Sequence, residues 1–82
     1  MSEFVLDARR LLCPMPVIRT QDRVQSLNPG DVLKVICTDP GALHDIPAWC
    51  RMNGHRVLER ATEGREIVIR LEVGGEVGGQ PS

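Results

Sequence analysis

Two prolines separated by one residue constrain the fold of this 82-residue chain more than any other feature. They directly follow a cysteine in the run Cys13-Pro14-Met15-Pro16, within the stretch Leu11–Ile18. Proline is accommodated in the first turn of a helix, where the backbone N–H has no helical partner, but it disrupts a helix interior or a central strand. The pattern therefore predicts that a strand-like segment gives way to a helix here, with Cys13 at the helix N-terminus.

A cysteine in that position is predicted to be reactive. The helix dipole and the N–H groups of Met15 and Val17 would favour a negative charge there, and thiols at helix N-termini can have pKa values of roughly 3.5–7.5. Four arginines also lie within ten residues of the cysteine: Arg9, Arg10, Arg19 and Arg23. These residues favour an exposed, activated thiolate, while the alternative of a small buried structural cysteine stays open.

Composition argues against several classes of function. Residues 1–41 carry five basic and five acidic side chains and residues 42–82 carry five and six, so each half is close to neutral and stable nucleic-acid binding is not expected. We find no signal peptide and no apolar run near the ~18 residues that cross a membrane. Three cysteines without a Cys-x-x-Cys pair fit a reducing compartment. The expected location is the cytoplasm.

The periodicity of apolar residues predicts the element order βαβαββ. The expected elements are a strand from residue 4 that ends near 7 or 8, a helix at 14–27, a strand at 32–38, a helix from 40 to about 53, and strands at 55–62 and 66–73. Asp39 is predicted as the N-cap of the second helix, with Pro40 in its first turn, and Pro47 is expected to kink that helix or delay its regular start.

This order predicts the α+β class: a two-layer α/β sandwich with two helices on one face of a four-stranded mixed sheet. The expected domain spans residues 1–73. Residues 74–82 are rich in glycine and are expected to form a flexible C-terminal tail.

The other candidate residues receive structural interpretations. Cys37 shares a strand face with apolar residues and is predicted to be core, although a resolving role towards Cys13 stays open, and Cys50 is predicted to be core. His44 and His55 are interpreted as surface or capping residues, and no metal site is predicted. Asp45 is interpreted as a surface or helix-capping acid rather than a general acid.

Beyond this reading of the residues, the chain resembles the small sulfur carriers of the TusA and SirA-like family over about Val5 to Val73. The shared motifs occur in the family's order and approximate spacing: Leu6-Asp7, Cys13-Pro14-Met15-Pro16, Pro29-Gly30-Asp31-Val32-Leu33, Thr38-Asp39-Pro40, Asp45-Ile46-Pro47-Ala48-Trp49 and Gly54-His55. The resemblance implies the same two-layer sandwich.

The resemblance also implies a function, in which Cys13 accepts sulfur as a covalent persulfide, with no cofactor and no metal. The residues expected to support the site are Pro14, Met15, Pro16, Arg10, Asp39 and Pro40. The chain departs from the family pattern in two places, of which the second concerns docking. Met15 replaces an acidic residue of some members, and Gln21 and Asp22 stand where members often have lysines. Arg19 and Arg23 are expected partner contacts instead, the alternative being that they are simply solvated.

The partners implied are a cysteine desulfurase or rhodanese as sulfur donor and a DsrE-like or TusD-like protein as acceptor. The sulfur would serve tRNA thiolation or cytoplasmic sulfur oxidation. Two other classes stay open at this point. One is a non-catalytic adaptor that uses the Cys13 turn for docking, and the other is a thiol redox module, which would need Cys37 to approach Cys13 within disulfide geometry.

Overall fold

The computed structural model describes residues 2–74 and has the predicted order of elements. These are β1 (Glu3–Ala8), α1 (Met15–Val24), β2 (Val32–Cys37), α2 (Ala42–Met52), β3 (Arg56–Glu63) and β4 (Glu66–Glu72). Within residues 2–74, neither helix is long and apolar enough to cross a membrane. Of the predicted tail at 74–82, only Gly74 is among the described residues, and 75–82 lie outside them.

The four strands form one mixed sheet in the order β1-β2-β4-β3. β1 and β2 are parallel, whereas β4 is antiparallel to both of its neighbours. At the end of the parallel pair, Ala8 lies beside Cys37. The chain leaves both strands at this edge, and it therefore brings the segment leading to Cys13 and the segment containing Asp39 together.

The core lies between the sheet and the two helices, and it follows the strand periodicity. Every second residue of the two central strands is buried: Leu33, Val35 and Cys37 of β2, and Ile67, Ile69 and Leu71 of β4. The helices contribute Val24, Ala42, Ile46 and Cys50 to the same cluster. The predicted core positions of Cys37 and Cys50 are confirmed, and burial raises the pKa of Cys37 to about 11 and that of Cys50 to about 12.

α1 is shorter than predicted. Pro14 occupies the N-cap position, and Pro16 lies in the first turn, as the prolines require. The helix ends at Val24 rather than near residue 27, because the N–H groups of Ser26 and Leu27 donate to carbonyls three residues earlier and tighten the last turn.

α2 begins later than predicted, and its expected side-chain cap is absent. The helix starts at Ala42, Gly41 is the N-cap residue, and no side chain caps it. The prediction of Asp39 as N-cap and Pro40 in the first turn is therefore wrong. The Asp39 carboxylate accepts hydrogen bonds from the N–H groups of Cys13 and Gly41, and the regular helix begins only after Gly41. The helix continues through Pro47, which has no N–H to donate to a carbonyl of the preceding turn.

His55 is buried, so the predicted surface position is wrong. Its Nδ1 atom accepts a hydrogen bond from the Gly74 N–H at 3.1 Å, and its ring packs against Trp49 with centroids 4.9 Å apart. The predicted capping role belongs to its backbone, whose N–H donates to the Cys50 carbonyl after Gly54 turns the chain at φ +79°. Burial lowers the pKa of the His55 imidazole.

Candidate functional site

The candidate site lies where the loop after β1, the loop after β2 and the first turn of α2 meet. Cys13 is exposed in the turn before α1, and its peptide bond to Pro14 is cis. The Met15 N–H donates to the Leu12 carbonyl at 2.8 Å and closes this turn. That N–H is therefore engaged with the backbone and is not directed at the thiol, contrary to the sequence prediction.

Asp39 joins the two loops. Its Oδ2 atom accepts a hydrogen bond from the Cys13 N–H at 2.8 Å, and its Oδ1 atom accepts one from the Gly41 N–H at 3.2 Å. The side chain thus holds the cysteine backbone from one loop while ordering the start of α2 from the other. Pro40 follows it as an exposed turn residue.

Asp45 contacts the thiol directly, which the sequence analysis did not predict. The Sγ–H group of Cys13 donates to Asp45 Oδ2 with a donor–acceptor distance of 2.7 Å. Asp45 lies in the first turn of α2, 32 residues from Cys13 along the chain. The sequence did contain a clue to this contact. Asp45 belongs to the helix that follows β2, and because β2 is parallel to β1, that helix begins near the Cys13 turn.

The electrostatic environment of Cys13 is opposite to the one predicted. The hydrogen bond to Asp45 is the largest cause that raises the pKa of the Cys13 thiol, followed by desolvation and by the charges of Asp45 and Asp39. The expected lowering of this pKa is therefore wrong. The physical reason is that folding places two carboxylates, rather than the arginines, closest to the sulfur.

Two of the arginines interact elsewhere. Arg9 pairs with Asp7 at 2.9 Å and with Glu66 at 3.3 Å. These contacts hold the pKa of Asp7 at about 2 and raise that of Arg9. Arg23 lies over the Phe4 ring, 5.1 Å from its centroid, and donates to Ser26 Oγ.

The other two arginines line surface clefts. Arg10 has φ +70°, in the left-handed region, and its N–H donates to Thr38 Oγ1 at 2.8 Å. It lines a polar cleft of about 450 Å³ together with Asp7, Arg9, Thr38 and Glu66. Arg19 is exposed and lines a different cleft beside Arg23 and Asp22. Partner contact by Arg19 and Arg23 stays a prediction.

The conformation of Arg10 leads to a stability prediction. A residue with a Cβ atom is strained by about 1–2 kcal/mol in the left-handed region, and glycine is not. We expect the free energy of unfolding of Arg10→Gly to be about 1 kcal/mol higher than that of Arg10→Ala. Both variants lose the same side-chain contacts, and only alanine keeps the strain. Urea unfolding followed by circular dichroism measures the difference, and an equal or lower stability of the glycine variant would contradict it.

The Cys13-Pro14-Met15-Pro16 turn is anchored by buried and half-buried side chains while the cysteine itself is exposed. Pro16 is buried and Met15 is half-buried, while Pro14 is exposed. Leu12, on the other side of the cysteine, is 73% exposed and adds an apolar surface next to the sulfur. All three cysteines are free, and Cys37 and Cys50 are fully buried. Among residues 2–74, no group of three His, Cys, Asp or Glu side chains is placed to hold a metal ion.

Comparisons with known proteins place the chain among sulfur-transfer proteins by sequence similarity. A family described as "Sulfurtransferase TusA" matches residues 4–73. The Bacillus subtilis protein YrkI is 46% identical over 73 residues, covering 89% of this chain and 97% of its own length. The sulfur carrier protein TusA of Pseudomonas aeruginosa is 46% identical over 59 residues, covering 72% and 75% respectively.

A solved structure shares the fold. The crystal structure of a SirA-like protein from Desulfitobacterium hafniense superposes with a TM-score of 0.77, covering 87% of this chain and 97% of that one. Its sequence identity is 22%, so this likeness supports the fold alone. The predicted α+β sandwich is confirmed.

Proposed function

Because the chain belongs to the TusA family of sulfurtransferases, we propose that it is a sulfur carrier that holds sulfur as a persulfide on Cys13. The observation that carries the proposal is the contrast between its cysteines. Cys13 is exposed at the end of a proline-framed turn, whereas Cys37 and Cys50 are 0% exposed. Direct transfer between two proteins requires a sulfur that the partner can reach, and Cys13 meets this requirement.

The proposed reaction is a thiol–persulfide exchange. The Cys13 thiolate attacks the outer sulfur of a persulfide on the donor protein, and a new S–S bond forms at Sγ as the donor's S–S bond breaks. The donor cysteine leaves as a thiolate and takes up a proton. An acceptor thiolate then attacks the outer sulfur on Cys13 in the same way. No net oxidation occurs, so the exchange needs no cofactor on this chain.

We further propose a cysteine desulfurase or a rhodanese as donor and a DsrE-like or TusD-like protein as acceptor. The delivered sulfur would then enter tRNA thiolation or sulfur oxidation in the cytoplasm. Family membership supports these partners, and so does the open surface around the cysteine, where exposed Leu12 and Pro14 leave room for a second protein.

The test is intact-protein mass spectrometry after incubation with a cysteine desulfurase, pyridoxal phosphate and cysteine, and separately with a rhodanese and thiosulfate, without reductant. We expect an added mass of one sulfur that dithiothreitol removes and that Cys13→Ser does not acquire. Cys37→Ala and Cys50→Ala are the matched controls and should still acquire it. Failure of wild type to gain sulfur from either donor would refute the carrier and favour a non-catalytic adaptor.

A further inference from the structure

The sulfur of Cys13 lies in a negatively charged environment. Asp45 accepts its proton in a 2.7 Å hydrogen bond, and Asp39 holds the adjacent backbone N–H. Of the four arginines near Cys13 in sequence, Arg9 and Arg23 form contacts with Asp7, Glu66, Phe4 and Ser26. Arg10 and Arg19 line clefts that do not include Cys13. At rest, the cysteine is therefore a thiol bonded to a carboxylate rather than a free thiolate.

This arrangement has a consequence for the exchange reaction, which requires the thiolate. The fraction of Cys13 present as thiolate rises when Asp45 stops stabilising the thiol proton. A positive charge placed next to Asp45 would have this effect, because the carboxylate would pair with the cation and the thiolate would gain an attractive neighbour in place of a repulsive one. An anion brought to the same place would have the opposite effect.

We propose that Cys13 exchanges preferentially with sulfur donors that present a positive charge beside the sulfur–sulfur bond, and that Asp45 is the residue that senses this charge. The inference rests on the proposed sulfur-carrier function and adds to it the chemistry of the donor. In a protein donor, the charge would be a lysine or arginine side chain next to the persulfide-bearing cysteine.

This step needs no oxidant or reductant. The donor's cation pairs with the Asp45 carboxylate, and the Sγ proton passes to solvent. The Cys13 thiolate forms a bond to the outer sulfur of the donor, and the donor's S–S bond breaks. The donor cysteine leaves as a thiolate, which the same cation stabilises until it is protonated from solvent.

An apolar cleft next to the loop containing Asp39 provides further contact area for a donor protein. It encloses about 600 Å³ and is lined by Thr38, Pro40, Leu43, Thr62, Gly64, Arg65 and Ile67. Thr38 and Pro40 flank Asp39 in sequence, so the cleft adjoins the loop that holds Cys13. A donor loop that places an apolar residue in this cleft, away from Arg65, and a basic residue beside Asp39 and Asp45 would complement both features.

The test uses small disulfides of different charge, with the full-length protein and no sulfur donor. Cystamine is cationic, bis(2-hydroxyethyl) disulfide is neutral and dithiodiglycolate is anionic. The rate of mixed-disulfide formation at Cys13 is followed by mass spectrometry. It is divided by the rate at which the same disulfide reacts with N-acetylcysteine amide, which corrects for the intrinsic reactivity of each probe. Persulfide loading is measured in a separate experiment. A protein that fails to carry sulfur can therefore be distinguished from one that lacks the charge preference.

For wild type we expect a corrected preference for cystamine over dithiodiglycolate of about tenfold or more at low ionic strength. Asp45→Asn should lose most of this preference, and Asp39→Asn should lose part of it. Asp22→Asn is the matched control, since it removes an exposed carboxylate that lines a different cleft, and it should keep the preference. In 1 M salt, where the screening length is about 3 Å, the wild-type preference should largely disappear.

A second measurement separates charge sensing from a merely structural role. Alkylation of Cys13 by iodoacetamide, which is neutral, should be about fivefold faster in Asp45→Asn at neutral pH, since one adjacent charge no longer stabilises the thiol. A wild-type preference no greater than that of N-acetylcysteine amide would overturn the proposal whether or not the variants fold. So would a folded Asp45→Asn variant that retains the full preference.

Discussion

Replacing Ile69 with alanine is expected to lower the free energy of unfolding by about 2–5 kcal/mol. Ile69 is fully buried in β4 and lies between Val35 of β2 and Arg60 of β3 in the sheet. Alanine removes apolar contacts and leaves a cavity beneath the helices that the central strands cannot close. Urea unfolding followed by circular dichroism measures the loss.

Two further substitutions calibrate this effect. Ile69→Val removes one methylene group from the same position and should cost about 0.5–1.5 kcal/mol. Val5→Ala truncates an apolar side chain that is 58% exposed in β1 and should change stability by about 0.5 kcal/mol or less. If Ile69→Ala were no more destabilising than Val5→Ala, the assignment of this face of the sheet to the core would be wrong.

Asp31→Ala is expected to have the second largest effect, a loss of about 2 kcal/mol. The Asp31 side chain is 8% exposed and accepts hydrogen bonds from the Asn28 N–H at 2.9 Å and from the Ser2 N–H at 3.3 Å. It therefore connects the N-terminal segment to the turn before β2. Alanine would leave these two part-buried backbone donors without their charged partner.

Asparagine at the same position provides the sharper control. Asp31→Asn keeps one acceptor oxygen and nearly the same shape, so we expect it to recover part of the stability lost in Asp31→Ala. Asp22→Ala removes an exposed aspartate from α1 and should change the free energy of unfolding by about 0.5 kcal/mol or less. Equal stabilities of the Asp31→Ala and Asp22→Ala variants would show that the Asp31 hydrogen bonds contribute nothing measurable.

The element order and the core could be predicted from the sequence because their signals are local. The alternation of Ile67, Ile69 and Leu71 with polar or less buried neighbours places one face of β4 in the core, since successive side chains of a strand point to opposite faces. Pro14 and Pro16 mark the start of α1 for an equally local reason, which is that proline lacks the N–H that a helix interior needs. Neither inference requires knowledge of distant contacts.

The predicted lowering of the Cys13 pKa was wrong because the charge environment of the thiol depends on residues far away in the chain. Sequence proximity suggested that arginines would surround the sulfur, but Arg9 pairs with Glu66, 57 residues away, and Asp45 reaches the thiol from 32 residues away. The N-cap position assigned to Asp39 was also wrong: its carboxylate accepts from the nearby Gly41 N–H and, across 26 residues, from the Cys13 N–H, while the helix begins only at Ala42. Local sequence specifies which backbone conformations are favourable, whereas hydrogen bonds and charges act across whatever surfaces the packing of β1, β2 and α2 brings into contact. The motif thus predicted an exposed cysteine in the turn before α1, and the tertiary structure decided which groups contact its proton.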